Sequence, residues 1–336
     1  MRWPRRLGMA AAGLLAVLAL AIPLRAQAWL PPQGEAFFSL GYSNIFATKH
    51  YNFQGEQVNN GHLRGQSVGA QVGYAFTDRL TVQFGVPYTE AKWYRFEGQG
   101  KQHVLLDGTT LDDGQYHGTF ADFRIDALYQ VIHGPTVLTP FVSVVIPTHD
   151  YQYFAHTAVG RGLNEYILGL NFGSSLERIV PGLFVQAMYS YAFVEEVLNI
   201  HHDRSNGALE VGYFITPSIG VRFLASGFYT HGGRVILSPA DYHCANPNAC
   251  TAADPLFLHH DQIGHASAIS LGGGLSYALT GSVDVYATYL RNVEGRGGHK
   301  LDHGLALGFS WGFSPKQVIR RMFGPRMPVG ETPLAR

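Results

Sequence analysis

The chain has 336 residues, a formal net charge of zero and 14% charged residues, against about 25% in typical soluble domains. This composition gives no electrostatic case for nucleic-acid binding, and it leaves too little charge to cover the surface of a soluble protein of this size. Forty glycines and 13% aromatic residues accompany the shortage of charge, which favours a protein whose outer surface faces lipid.

The first residues have the order of a secretory signal peptide. Three arginines lead into an apolar run over 7–24, and Ala26-Gln27-Ala28 supplies the small residues that a signal peptidase requires. We therefore predict a signal peptide over residues 1–28 and a mature chain that leaves the cytoplasm. An uncleaved membrane anchor is the alternative, but the apolar run is short for a spanning helix of about 20 residues.

The mature chain repeats an alternation with a period of two. From Leu80 to Tyr88, apolar side chains alternate with polar or small ones, which is the pattern of a strand with one apolar face. About nine to eleven residues is also the length that a tilted strand needs to cross a bilayer. The same alternation predicts twelve strands, over residues 36–47, 67–76, 80–88, 120–132, 137–148, 163–176, 183–194, 205–214, 219–231, 266–279, 283–293 and 303–313.

The lengths of the connections alternate as well. Links after the even-numbered strands are short, such as Thr77-Asp78-Arg79, whereas links after the odd-numbered strands are longer, up to 92–119 and 232–265. Short turns at one end and long loops at the other are typical of outer-membrane barrels, with the turns in the periplasm. We therefore predict an all-β transmembrane antiparallel β-barrel over residues 29–313, located in the bacterial outer membrane. A soluble β-sandwich would show neither feature.

The last predicted strand carries a second signal. The segment from Gly308 to Phe313 resembles the terminal-strand signal read by the barrel-insertion machinery, which we expect as a partner during assembly. Outer-membrane lipid and lipopolysaccharide are the expected partners of the finished barrel. Residues 314–336 follow as a basic, proline-rich tail, for which we predict a disordered periplasmic extension. Contact of this tail with anionic lipid or with a partner protein is the alternative.

Several short motifs resemble one family. They are Leu30-Pro31-Pro32-Gln33-Gly34, Tyr74-Ala75-Phe76-Thr77-Asp78-Arg79-Leu80, Val86-Pro87-Tyr88, Gly118-Thr119-Phe120-Ala121-Asp122 and Ile146-Pro147-Thr148. Together they resemble the outer-membrane transporter-like barrels of the MetA-pathway of phenol degradation family, over most of the mature chain. The resemblance implies passage of small hydrophobic or aromatic solutes across the outer membrane. His149 stands where that family often has glycine. The N-terminal plug of the related long-chain fatty acid channels is not expected, because only about seven residues precede the first strand.

The alternation also assigns side chains to the lumen. Charged residues and one tyrosine point inward and are the candidate solute-path residues: Asp122, Arg124, Asp126, Glu165, Glu210, Arg222 and Tyr286. They form either a polar constriction that selects solutes or an ion-pair network that supports the barrel, because a charge inside a barrel needs a partner. Phe141, Met188 and Tyr286 form either an apolar patch for an aromatic solute or packing within the lumen.

Cysteines and histidines suggest one covalent link and no cofactor. Cys244 and Cys250 are the only cysteines, and in an oxidising envelope we expect them to form a disulfide within a loop; free thiols or a metal site are the alternatives. The 16 histidines are scattered without a repeated spacing, so no metal site is predicted. The alternative is a site at the outer mouth made by His202, His259 and His260.

The sequence therefore predicts a non-enzymatic outer-membrane channel or facilitator for small hydrophobic or aromatic solutes. Two other functions stay open. The barrel could serve as an adhesin, anchor or partner scaffold through its long outer loops. It could also be a lipid hydrolase, since His265-Ala266-Ser267 resembles the His-x-Ser pair of outer-membrane phospholipases, with Asn206 as the candidate third residue.

Overall fold

The described part of the chain forms a closed antiparallel β-barrel. The computed structural model describes residues 28–59, 61–94, 103–237, 239–244, 246 and 250–318, so the predicted signal peptide and most of the predicted tail lie outside it. The strands are β1 (Ala36–Ala47), β2 (Lys49–Tyr51), β3 (Gln57–Val58), β4 (His62–Ala75), β5 (Leu80–Tyr94), β6 (His117–Phe120), β7 (Asp122–Tyr129), β8 (Thr136–Pro147), β9 (Glu165–Ser175), β10 (Leu183–Val194), β11 (His202–Thr216), β12 (Ile219–Gly232), β13 (Ser267–Ala278), β14 (Val283–Arg296), β15 (Gly298–Lys300) and β16 (His303–Phe313).

Twelve spans make up the barrel wall, and β6 and β7 together form one of them. Each span pairs with its neighbour in sequence, and β1 pairs with both β4 and β16, which closes the sheet. The prediction of a closed barrel of about twelve strands is confirmed. Outside the wall, β2 pairs with β3 and β15 in a small separate sheet. A 3₁₀ turn (Pro239–Tyr242) and two one-turn helices, α1 (Pro255–Leu258) and α2 (His260–Ile263), lie between β12 and β13.

The two ends of the barrel differ. At the short-turn end, the links between wall strands are residues 76–79, 130–135, 176–182, 217–218 and 279–282. At the long-loop end, we name the links L1 (48–61), L2 (95–116), L3 (148–164), L4 (195–201), L5 (233–266) and L6 (297–302).

The two faces of the wall also differ, as the alternation predicts. Along β5, Thr81 and Gln83 are buried on the inner face, whereas Phe84 and Tyr88 are exposed on the outer face. On β9, Leu168 is exposed between the buried residues Ile167 and Asn171. Exposed apolar side chains recur on eleven of the twelve spans, all but β1, and this belt matches a surface that meets hydrocarbon. Among the described residues, no helix has both the length and the apolar character needed to span a membrane.

A charge on the belt should destabilise the barrel. Leu168 is 54% exposed on the outer face of β9, so Leu168→Arg should lower the free energy of unfolding by about 2–4 kcal/mol, because arginine would face the bilayer interior. Leu106→Arg, at an exposed position in L2, should change it by no more than about 0.5 kcal/mol. Urea unfolding from lipid vesicles, followed by tryptophan fluorescence, measures both. Equal effects of the two substitutions would contradict a lipid-facing belt.

Pro140 interrupts one ladder, as expected for a proline inside a closed barrel. Pairing of β7 with β8 stops at Leu128 opposite Phe141 and resumes as a bridge between Ile132 and Leu138. Residues 129–131, at the end of β7 and just after it, therefore face only residues 139–140 of β8, which is a bulge. On its other side, Pro140 stays in register opposite Leu170. Pro140, which has no backbone N–H, therefore lies where the pairing of β7 with β8 is interrupted.

Inward aromatic rings lie against glycines directly opposite on the neighbouring strand. A Cβ added to any of these glycines would come within 2.0–2.2 Å of the facing ring, so only glycine leaves room for it. The pairs are Phe37 with Gly73, Phe141 with Gly169, Phe184 with Gly212, and Tyr286 with Gly308. The rings therefore lie close to the lumen wall.

Candidate functional site

Asp126 is the centre of the first polar group in the lumen. It accepts hydrogen bonds from Gln83 Nε2 at 2.9 Å, from Arg124 Nε at 2.6 Å and from the Ser143 hydroxyl. Arg124 also donates to Ser143 Oγ at 2.9 Å. The Asp126 carboxylate is thus buried with both charge and hydrogen-bond compensation, which is what burial of a carboxylate requires.

Glu165 is the centre of the second group, near the long-loop end. Its Oε1 accepts from Arg161 and from Arg204, each at 2.6 Å, and all three side chains are at most 13% exposed. Arg161 belongs to L3, whereas Glu165 and Arg204 are wall residues. The ion pair therefore ties L3 to two strands of the wall.

Asp122 makes a further link to L3. Its carboxylate accepts a hydrogen bond from the Tyr151 hydroxyl. The Tyr151 oxygen in turn accepts a hydrogen bond from the Gly162 N–H at 2.9 Å. Burial, followed by the nearby Asp122 charge, raises the pKa of Tyr151, so its hydroxyl stays protonated as the donor. L3 is therefore held inside the barrel mouth by a tyrosine and an arginine.

The third group lies on another part of the wall. Arg222 Nη1 is 3.6 Å from Glu210 Oε1, and the Arg222 guanidinium lies 6.0 Å from the centre of the Tyr286 ring. All seven predicted solute-path residues therefore line the interior, and six of them are partners in ion pairs or charged hydrogen bonds. Such mutual pairing agrees better with a network that supports the barrel than with free charges that attract ions.

An apolar stripe runs along the interior beside these groups. It consists of inward side chains from four consecutive spans, with two contributions from outside the wall. The members are Leu128, Phe141, Ile167 and Met188 from β7 to β10, with Leu30 from the N-terminal segment and Leu163 from L3. Phe141 and Met188 thus share one apolar surface, as the sequence suggests, but Tyr286 lies apart, beside Arg222.

The segment ahead of β1 runs across the short-turn end. Trp29, the first residue of the predicted mature chain, donates its indole N–H to the Gly134 carbonyl at 3.3 Å, and its ring lies against Gly173 of β9. Closer to β1, the Gln33 N–H donates to Asp78 at 2.9 Å. Only about seven residues precede β1, as the sequence indicates, and they cross the short-turn end. At about 3.3 Å per extended residue, even seven residues reach from β1 to the inner face of β9.

Three loops interlock over the long-loop end. Residues 154–160 of L3 are all buried. The Ala155 N–H donates to Asp261 of L5 at 3.1 Å, and Gln262 Nε2 of L5 donates to the Arg161 carbonyl at 2.6 Å. Thr157 donates to the Leu111 carbonyl of L2. The mouth is thus covered by L3, with L2 and L5 packed against it.

L5 carries the disulfide. Cys244 and Cys250 are bonded, with their Cα atoms 5.4 Å apart. Cys244 packs with Phe53 of L1 and with Ile236 and Tyr242 of L5. The bond therefore closes a short segment of L5 that is anchored on L1.

Five buried histidines meet under these loops, one from each of L1, L2, L3, L5 and L6. We call His50, His103, His156, His260 and His299 the histidine cluster. His50 Nε2 and His299 Nε2 are 3.2 Å apart, and the His156 ring stacks on Trp93 with 3.9 Å between centroids. His103 Nδ1 donates to Asp112 at 2.5 Å.

Burial keeps four of these rings uncharged. It lowers the pKa of His50 to about 3 and holds the pKa values of His156 and His299 well below the usual range; neighbouring histidines act in the same direction. Burial also lowers the pKa of His260. Each of these four rings therefore offers a neutral nitrogen lone pair at neutral pH.

The sequence-based alternative for a metal site named the wrong histidines. Among the described residues, two groups could hold an ion, namely His50 with His156 and His299, and His103 with Asp112 and His156. His202 bonds instead to the Ile200 carbonyl, and His259 to Gln262. Members of the cluster come from loops up to 249 residues apart, so no spacing along the sequence could reveal them.

The barrel resembles solved outer-membrane barrels. The COG4313 outer membrane channel from Pseudomonas putida F1 matches with a TM-score of 0.63, over 85% of this chain and 98% of that one, at 13% sequence identity. This chain has the fold of that channel. The barrel fold that the motif resemblance implies is therefore confirmed. With its apolar outer belt, a barrel of this fold is an outer-membrane protein.

More distant matches are to two porins. The NanC porin matches with a TM-score of 0.43 over 81% of this chain and 98% of that one, at 9% identity. The KdgM porin matches with a TM-score of 0.40 over 82% of this chain and 99% of that one, at 10% identity. No family model and no curated protein matches the sequence itself.

The third residue of the hydrolase alternative, Asn206, does not orient His265 in the described barrel. His265 Nδ1 donates to the Gly232 carbonyl at 2.7 Å, so backbone holds the ring. Asn206 lies within the β10–β11–β12 ladder, opposite Ser190 and Phe228. A base needs a third group to orient it, and the backbone carbonyl takes that place for His265.

Proposed function

We propose that the protein is an outer-membrane channel for small hydrophobic or aromatic solutes. The observation that carries the proposal is the apolar stripe, which lines the lumen from the N-terminal segment to L3. The charged groups beside it are paired with one another, so they offer little free charge to a passing ion. The resemblance to the MetA-pathway of phenol degradation family supports the same class of solute.

We infer that L3 closes the long-loop end in the described state. Its buried residues 154–160 lie in the mouth, whereas residues 29–35 run across the short-turn end. A solute can pass the long-loop end only when L3 moves aside. L3 is held there by polar contacts from Tyr151 and Arg161. The proposed channel is therefore gated by L3.

Block of ion current by a small aromatic tests the solute class. The test uses a variant in which a Gly-Ser linker replaces residues 153–159 of L3 and opens the mouth. In this variant, added phenol should reduce the current by occupying the apolar stripe, whereas glucose should not. Phe141→Ser should weaken the block by phenol about fivefold, the loss of about 1 kcal/mol of aromatic contact. Phe172→Ser, on the outer face of the adjacent β9, is the matched control and should leave the block unchanged.

Two results would contradict the proposal. Equal action of phenol and glucose would remove the preference for aromatic solutes. A loop-shortened barrel that stays sealed would remove channel function and favour the alternative of a scaffold acting through the loops.

A further inference from the structure

The histidine cluster contains three nitrogen atoms placed like the ligands of one ion. His50, His156 and His299 each offer a ring nitrogen, and these atoms all lie within 4.8 Å of one another. The two Nε2 atoms of His50 and His299 are 3.2 Å apart. With zinc–nitrogen bonds of 2.0–2.1 Å in a tetrahedron, two ligand nitrogens are separated by about 3.3 Å.

The positions of the three rings fit a bound cation better than a shared proton. His50 and His299 lie directly opposite each other in the β2–β15 ladder, so a simple cross-strand hydrogen bond could join this pair. A proton joins only two nitrogens, however, whereas the third ring, His156, converges on the same point from L3. An ion that binds imidazole joins all three.

Buried atoms around the three rings lack protein partners. His50 Nδ1, His299 Nδ1 and Asp112 Oδ1 are buried without a hydrogen bond, although the side chains of His50 and Asp112 are almost fully enclosed. Orphaned buried polar groups are rare and commonly mark an ion or an ordered water. The Asp112 carboxylate, grouped with His156 and His103, supplies the negative charge that a buried divalent cation needs.

The surroundings also orient the ligands. His156 is stacked on Trp93, which is itself buried and in contact with the apolar residues Leu63 and Val159. His103 is oriented by its bond to Asp112, the carboxylate–histidine pairing that supports ligands at metal sites. Rigid support of this kind distinguishes a built site from loosely placed surface histidines.

We propose that His50, His156 and His299 bind one divalent transition-metal ion, zinc in the first instance, with Asp112 and His103 beside it. The ion would tie L1, L3 and L6 together over the mouth of the barrel. Imidazole ligands and a tetrahedral nitrogen spacing fit zinc, whereas magnesium and calcium prefer oxygen ligands. The site is independent of any solute that the lumen carries.

Metal titration of the untagged full-length protein in detergent tests the proposal. After treatment with a chelator and desalting, the protein should bind one equivalent of zinc in competition with a chromophoric chelator. His156→Ala and His299→Ala should each weaken binding at least about a hundredfold, since even outer-shell changes cost about 10- to 100-fold. Asp112→Asn should weaken it about tenfold. His133→Ala, an exposed histidine at the other end, is the matched control and should bind as the unaltered protein does.

A second measurement separates binding from folding. Every variant must show the heat-dependent gel mobility of a folded barrel, and His50→Gln replaces any alanine variant that does not. Cobalt in place of zinc should give visible absorption bands of a tetrahedral site in the unaltered protein and none in His299→Ala. Failure to bind one equivalent, or equal binding by His133→Ala and His299→Ala, would overturn the proposal. Neither result bears on conduction, so the proposed channel is tested separately.

Discussion

Removing the inward part of L3 should convert the closed barrel into a conducting pore. Replacing residues 153–159 with a two-residue Gly-Ser linker takes out Phe154, Thr157 and their buried neighbours, which fill the mouth. It leaves Tyr151 and Arg161, which hold the ends of L3 to the wall. We expect single-channel conductance in planar bilayers to rise at least several-fold, because a barrel of this size encloses a narrow lumen once its mouth is clear.

The matched control shortens an exposed part of L2. Residues 106–109 of L2 are exposed, so replacing them with Gly-Ser should leave the conductance at the level of the unaltered protein. If both replacements raise conductance equally, disturbance of the loops in general is the cause. If neither does, the proposed channel gated by L3 is contradicted.

Glu165→Gln should be the most destabilising single change in the lumen. Arg161 and Arg204 would keep their charges without the carboxylate that both now contact, and an uncompensated buried charge costs about 3–5 kcal/mol. Urea unfolding from lipid vesicles measures the loss. Glu35→Gln, at an exposed position just ahead of β1, is the control and should change the free energy of unfolding by less than about 0.5 kcal/mol.

A second substitution tests the cause. Adding Arg204→Leu to Glu165→Gln removes one of the stranded charges and should restore part of the lost stability. No restoration would mean that the loss came from packing of Glu165 and not from its charge.

The wall strands could be predicted because lipid and lumen lie on opposite sides of every one of them. The alternation identifies each span, but it makes some spans too short at the long-loop end. The predicted strand over 80–88 continues in the structure to Tyr94, and β4 begins at His62 and not at residue 67. In these extensions burial still alternates, but the inward residues Ala91, Trp93 and Leu63 are now the apolar ones, whereas the outward neighbours Lys92 and Arg64 are charged. The rule that reveals the strands therefore fails beyond the bilayer.

The interior could be predicted only in part. Parity along a strand says which side chains point inward, and the seven residues assigned to the lumen lie on the inner face; that a solute passes them stays a prediction. Parity says nothing of which inward residues meet, so the sharing of Glu165 by Arg161 and Arg204 could not be foreseen, because Arg161 lies in a loop. The burial of L3, the course of residues 28–35 and the histidine cluster all depend on contacts between segments distant in sequence.

The small sheet of β2, β3 and β15 prolongs the barrel seam. β1 and β16 are the first and last wall strands, so they can pair only when the rest of the wall is in place. Beyond the wall, β2 follows β1 and β15 precedes β16, and these two short strands pair with His50 opposite His299. A slip of one residue at the seam would set Lys300 opposite His50 instead. Contact between the His50 and His299 rings, which lie outside the membrane, thus indicates that β1 and β16 have paired in the correct register.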